Sequence, residues 1–227
     1  MLGITLDARA YLARFADEMA RLDERAMELW GRLVFRTWLD ERTVFVFGNG
    51  GSATTATHIC EDFGKSSLRE DELFQTASKR LRILSLTDNL GWITALGNDL
   101  GYAHVFSQQL MSFARPHDLV IAISGSGNSP NVINAVEWAN ENGLVTFALT
   151  GYDGGKLRRL AHHGLHVPLD DMGMVESIHL AAFHWVLNDV YARIHREGRH
   201  GNKEGSLDGP PRLIEALDAV PNGLMPA

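Results

Sequence analysis

Five short apolar runs, each ended by glycine, serine or aspartate and each followed by a helical stretch, predict an α/β domain with a mainly parallel five-stranded sheet. Continuous runs of this kind suit strands covered on both faces, which gives a single doubly wound, three-layer domain. Size agrees, because 227 residues with 45% hydrophobic content bury one sizeable core and leave little chain over.

The first element lies before the sheet. From Leu6 to about Asp40 there is no proline and only one glycine, and Leu12, Phe15, Met19, Leu22, Ala26, Leu29 and Leu33 recur in steps of three and four. That spacing predicts one long N-terminal helix whose apolar seam is covered by its own domain or by a neighbouring subunit. The predicted strands follow as Thr43 to Phe47, Arg82 to Leu86, Leu119 to Ile123, Val145 to Leu149, and a weaker Leu165-His166-Val167. The polar stretch from Ser66 to Arg80 reads as an exposed insertion. A helix from about Met174 to Arg196 is apolar nearly all round and is expected to be buried. Four of the seven prolines come after Gly198, so residues 1–197 are read as the domain and 198–227 as a mobile tail with a short docking helix, Leu213 to Leu217.

Composition excludes several classes of function. The formal charge is 21 − 28 = −7, without a basic block to hold a phosphodiester backbone, so no nucleic-acid partner is expected. A single cysteine, Cys60, makes neither an internal disulfide nor a cysteine-rich zinc site. The first thirty residues lack the apolar core of a signal peptide and no run reaches about eighteen uncharged apolar residues, so a cytoplasmic protein without a membrane span is expected.

The loops after the strands carry the chemistry, since ligands of such sheets bind outside the carboxyl ends of the strands. Gly48-Asn49-Gly50-Gly51-Ser52-Ala53 fits the loose dinucleotide pattern, but the acidic residue ending the second strand, Asp88, lies roughly twice too far along, so no NAD is expected. Gly64-Lys65-Ser66 resembles the end of an ATPase phosphate loop, but Ile59 stands where that loop needs glycine, so no ATP is expected. In the third loop Ser124, Ser126 and Ser129 alternate with Gly125 and Gly127 ahead of a helix with Ser129 at its cap and Pro130 at its first position. Hydroxyls and free amides then meet at a positive helix end, which suits a phosphate monoester.

His58 and Asp62, four residues apart on the helix after the first loop, share one face near the strand ends and have metal-ligand spacing. On the apolar last helix Glu176, His179 and His184 need partners, because an unpaired buried carboxylate costs roughly several kcal/mol. A helical wheel puts His179 about 60° to one side of Glu176 and His184 about 80° to the other, so either could join it.

Together these motifs resemble the sugar isomerase domain family: Gly-Asn-Gly-Gly-Ser, Ser-x-Ser-Gly-Asn-Ser, Gly97-Asn98-Asp99, Leu149-Thr150-Gly151 with Asp153-Gly154-Gly155-Lys156, and Glu176-x-x-His179. Within it the pattern is most similar to the phosphoheptose isomerases, over roughly residues 6–196. The resemblance implies a homotetramer with sites at subunit interfaces, converting sedoheptulose 7-phosphate into D-glycero-D-manno-heptose 7-phosphate or acting on a similar ketose phosphate through an enediol. It implies phosphate and substrate contacts from Asn49, Gly50, Ser52, Asp88, Ser124, Ser126 and Ser129. It further implies a divalent metal, zinc, on His58, Asp62, Glu176 and His184, and an acid/base pair of Asp62 and His184. The family usually has glutamate at position 62 and glutamine at position 176. Those departures keep a second outcome open, a non-catalytic phosphosugar-binding regulator or scaffold of the same superfamily.

Overall fold

The computed structural model describes residues 6–198, so nearly all of the predicted tail, with the Leu213 to Leu217 helix, lies outside the described residues. Five strands, β1 (Thr43–Gly48), β2 (Arg82–Ser85), β3 (Leu119–Ser124), β4 (Val145–Thr150) and β5 (His163–His166), form one sheet in the order β2-β1-β3-β4-β5. Every neighbouring pair is parallel. Alternate residues of each strand feed opposite faces: Val44, Val46, Leu119 and Ile121 join one core, and Phe45, Phe47, Val120 and Ala122 the other.

Those two cores are closed by different helices. On the first face lie α2 (Glu24–Leu39), α3 (Gly51–Ser66) and α8 (Met172–Arg193), contributing Trp30, Phe63 and Phe183; Trp30 stacks on Phe147 of β4 at 5.5 Å. On the second lie α5 (Ser107–Phe113), α6 (Pro130–Glu141) and α7 (Gly155–Leu160), with Leu110, Val132, Val136 and Leu157. The chain therefore leaves β1 and β3 toward opposite faces, and the crevice between their carboxyl ends is the switch point at which ligands of this architecture bind.

Two expectations change in detail. The predicted N-terminal helix is two helices, α1 (Ala8–Met19) and α2, because the Asp23 carboxylate accepts from the amides of Arg25 and Ala26 and so caps a new helix start. The break lets Phe15, Met19 and Leu22 turn onto Val167, Met174, Val175 and Ile178 of the same chain, while Leu33 joins the first core; Leu12 stays 65% exposed. The Ser66 to Arg80 stretch is only partly an exposed insertion: Ser67, Leu68 and Glu72 are buried, whereas Phe74 is 92% exposed. Nor is α8 buried all round, since Trp185 and Tyr191 face outward.

One helix is covered only in part, with Ile93 and Leu96 packed on the second core and Trp92 stacked on Phe113. Between β2 and α5, α4 (Leu90–Asp99) has the sequence LGWITALGND and no buried residue, and Leu90 and Leu100 at its ends are exposed.

Candidate active site

At the end of β3 the serine loop forms as the sequence predicts. Ser129 caps α6 and Pro130 is its first residue, yet the Ser129 hydroxyl makes no capping hydrogen bond; it lies 3.3 Å from the Ser124 hydroxyl. Two hydroxyls therefore converge at the positive end of α6 without being spent on the helix. Gly127 has φ +65°, and a Cβ there would come within 1.9 Å of the Gly154 carbonyl oxygen, so this loop and the loop after β4 interlock through backbone that only glycine allows. Leu157 N–H donates to the Gly127 carbonyl at 2.9 Å and Lys156 N–H to Asn128 Oδ1 at 3.0 Å, closing the lock. A pre-formed, uncharged donor set at a helix start is what a phosphate monoester needs.

The turn after β1 is tied to the same place. Asn49 and Asn131, the second residue of α6, exchange two amide hydrogen bonds of 2.9 Å, and the Tyr102 hydroxyl donates to Asn49 Oδ1 at 2.9 Å. Ser52 is buried beneath the turn, and Gly50 borders open space. Asp88, at the end of β2, accepts from Thr57 on α3 at 2.5 Å and from Thr87 at 3.1 Å. Asn131 and Tyr102 carry no sequence signal of this role, because it depends on how α6 and the turn before α5 dock on β1. On the far side of the serine loop an open groove of about 620 Å³ is lined by Ser126, Asn128, Tyr152, Asp153, Pro168, Leu169 and Asp170, and only Ser126 of these was expected in a site.

His58 and Asp62 project together from α3 toward α8, where they meet His184. Asp62 Oδ2 is 3.1 Å from His58 Nε2 and 3.8 Å from His184 Nε2, and one donor atom from each of the three residues lies within 4.8 Å of the others. The buried Phe183 ring supports both imidazoles, with centroids 5.9 Å and 5.2 Å away, and Lys65 Nζ stands 3.8 Å from the other Asp62 oxygen. Two imidazoles and one carboxylate fit a divalent ion of the zinc type that keeps an open position. The trio does not sit at the strand ends as the sequence suggests: His58 is seven residues into α3, about 10 Å along it from Gly51.

The structure also separates the two histidines of α8. His184 joins the trio, while His179 is buried, its Nε2 3.2 Å from the Thr150 carbonyl oxygen, to which it donates, and its Nδ1 without a partner among the described residues. Burial holds His179 down to about 4, against its ordinary value near 6.5, so it is a neutral core histidine. Burial, with the Asp88 charge, likewise pushes the Cys60 thiol up and makes it unreactive.

Glu176 is not in the trio. Two turns before His184 on α8, its carboxylate lies against Gly51, where a Cβ would come within 2.4 to 2.5 Å of the three carboxyl atoms. No side chain caps α3 at its Gly50 start, and this carboxylate lies beside that positive end.

A SIS domain model matches residues 9–151, and the chain belongs to that family. It is 33% identical over 185 residues to a probable phosphoheptose isomerase of Thermoplasma volcanium, covering 82% of this chain and 91% of the relative. Among solved structures it is similar to phosphoheptose isomerase from Neisseria gonorrhoeae, with a TM-score of 0.72, 29% identity, and 80% and 94% of the two chains covered. It is also similar to one from Francisella tularensis, with a TM-score of 0.70, 25% identity, and 78% and 91% covered. Within the family, the chain belongs with the phosphoheptose isomerases and is an isomerase.

Proposed function

We propose that this protein is a metal-assisted aldose–ketose isomerase acting on sedoheptulose 7-phosphate, with D-glycero-D-manno-heptose 7-phosphate as product. The observation that carries the reading is the pairing of an open hydroxyl cradle at α6 with the His58–Asp62–His184 trio along α3, in a chain whose relatives are named phosphoheptose isomerases. Ser124, Ser126 and Ser129 anchor the phosphate, and Asn49, Gly50, Ser52 and Asp88 shape the cleft between anchor and trio. Binding energy at the phosphate, remote from the reacting carbons, then serves to orient them.

At the other end Asp62 takes a proton from C1 of the ketose while the carbonyl oxygen on C2 gains one from His184, giving the enediol. Return of the first proton to C2 and transfer of the O1 proton to His184 yield the aldehyde at C1, and both residues recover their starting state. His58, Asp62 and His184 would hold the divalent ion, zinc by donor type, which when bound polarises the carbonyl as a Lewis acid. Glu176, the fourth donor that the resemblance implies, stands apart from the trio in this structure. A homotetramer in the cytoplasm completes the reading; exposed Leu90 and Leu100 at the ends of α4 offer apolar surface to a second copy, and no described helix is long and apolar enough to cross a membrane.

The test is turnover of sedoheptulose 7-phosphate beside metal analysis of protein purified without chelator. Asp62→Asn is expected to lower both metal content and turnover, the latter on the order of a hundredfold, while Asp62→Glu keeps both. Phosphosugar binding without turnover on any sugar phosphate would instead favour the regulator or scaffold reading.

A further inference from the structure

The Asn49 amide, in the turn after β1, is held in one orientation, and the backbone decides which. The Val132 N–H donates to Asn131 Oδ1 at 3.0 Å, so that oxygen is an acceptor. Asn49 Nδ2 must then be the group that donates to it, which turns Asn49 Oδ1 toward Asn131 Nδ2 and the Tyr102 hydroxyl, each 2.9 Å away. Both lone pairs of Asn49 Oδ1 are taken, while its Nδ2 keeps one N–H unused among the described residues. The other end of this chain of bonds is equally fixed. Tyr102 opens a short turn, Tyr102–His104, that Asn134 of α6 grips through the Ala103 carbonyl at 3.0 Å; Val105 and Phe106 after it are buried, and Phe106 stacks on Phe47 of β1. Asn131 is buried, but Tyr102 is 56% exposed. For stability alone, water would satisfy the Asn49 oxygen about as well as so exposed a phenol.

We propose that Tyr102 and Asn131 are positioning residues that make Asn49 a donor-only contact, so that the crevice selects a ligand presenting an acceptor oxygen to Asn49, as a phosphate ester or a sugar hydroxyl does. The inference rests on the reading of the crevice as the substrate site and of Asn49 as one of its contacts. An asparagine free to turn about its last bond offers either a carbonyl oxygen or an N–H, and the oxygen repels a phosphate oxygen. Locking the amide removes that choice and the entropy that goes with it. Asn131 does half of this, since pairing alone leaves one lone pair of Asn49 Oδ1 open; the Tyr102 hydroxyl covers it. Asn49 is bonded to the start of α6, where the serine loop lies, and not to the His58–Asp62–His184 trio. Its contact is therefore made equally before and during the proton transfers, and its loss registers in KM and not in kcat.

The experiment is calorimetric titration of sedoheptulose 7-phosphate and of inorganic phosphate into wild type, Tyr102→Phe, Asn49→Ala and the double variant, beside steady-state kinetics and thermal melts. Tyr102→Phe is expected to weaken the sugar phosphate by about three- to tenfold and to raise KM in proportion, with kcat held to within about twofold and the melting temperature unchanged. In the Asn49→Ala background the same substitution is expected to add nothing, because the hydroxyl has lost the amide it holds. If orphaning Asn131 unfolds Asn49→Ala, the cycle is run with Asn131→Ala added, which leaves no buried amide unpaired. Parallel weakening of inorganic phosphate supports the proposal with a phosphate oxygen as the acceptor, and an effect confined to the sugar phosphate supports it with a sugar oxygen. Additive losses in the double variant overturn it, because Tyr102 would then touch the ligand itself. So does wild-type affinity in Tyr102→Phe when Asn49→Ala binds weakly. If Asn49→Ala binds as wild type does, or if wild type binds no sugar phosphate, the reading of the crevice fails and this inference falls with it.

Discussion

His179 shares a helix with His184 but not its chemistry, and the difference predicts a pH dependence of stability. Burial lowers His179 to about 4, and it lowers His162, His163 and His166 as well, so the native state refuses protons that the unfolded chain accepts below about 6.5. Stability is therefore intact above pH 6.5 and is lost as pH falls from there toward 4, with His179 accounting for on the order of 3 kcal/mol. Denaturant melts at pH 7, 6 and 5 are expected to show this decline. The slope should be shallower by up to one proton in His179→Gln, whose amide can still donate to the Thr150 carbonyl. An identical slope in the variant would mean that His179 is protonated in the native state. None of this was legible in the sequence, where the wheel left His179 and His184 equally placed. The choice is made by what each faces: His179 packs against the Thr150 carbonyl at the end of β4, whereas His184 faces Asp62 of α3 and stays half exposed.

Among the elements, the serine loop was the most legible, because Ser129-Pro130 marks a helix start unambiguously and three hydroxyls exceed what a cap uses. Since Ser129 does not cap with its side chain, removing its hydroxyl should cost binding and not fold. Ser126→Ala with Ser129→Ala is expected to weaken phosphate or phosphosugar binding by about tenfold in calorimetry, with little change in melting temperature. A large fall in melting temperature would mean that the hydroxyls serve the helix after all. The strands were legible for a similar reason, being apolar runs closed by turn residues. The break after α1 was not, because Asp23 falls on what reads as the polar face of a continuous helix, and only its carboxylate on the Arg25 and Ala26 amides shows it to be a cap. The placement of Glu176 was equally hidden, since it depends on α3 and α8 running side by side so that Gly51 faces Glu176 as Asp62 faces His184.

For the molecule as a whole, the seam read from Leu12 to Leu33 is largely used inside the chain, and apolar surface stays exposed among the described residues at Leu90 and Leu100 at the ends of α4 and at Phe113, which stacks on Trp92. Light scattering is expected to report about four chains, and a monomer at micromolar concentration would sink the tetramer and with it any site shared between subunits. If the proposed tetramer forms through the exposed end residues of α4, stability becomes a matter of mass action. A chain that hides apolar surface only by associating has no single melting temperature: each tenfold dilution draws copies apart, returns α4 to water, and moves unfolding to lower temperature. Purified stocks and dilute assays would then hold the same protein at different stabilities, and the difference would measure how much of the fold is owed to its neighbours.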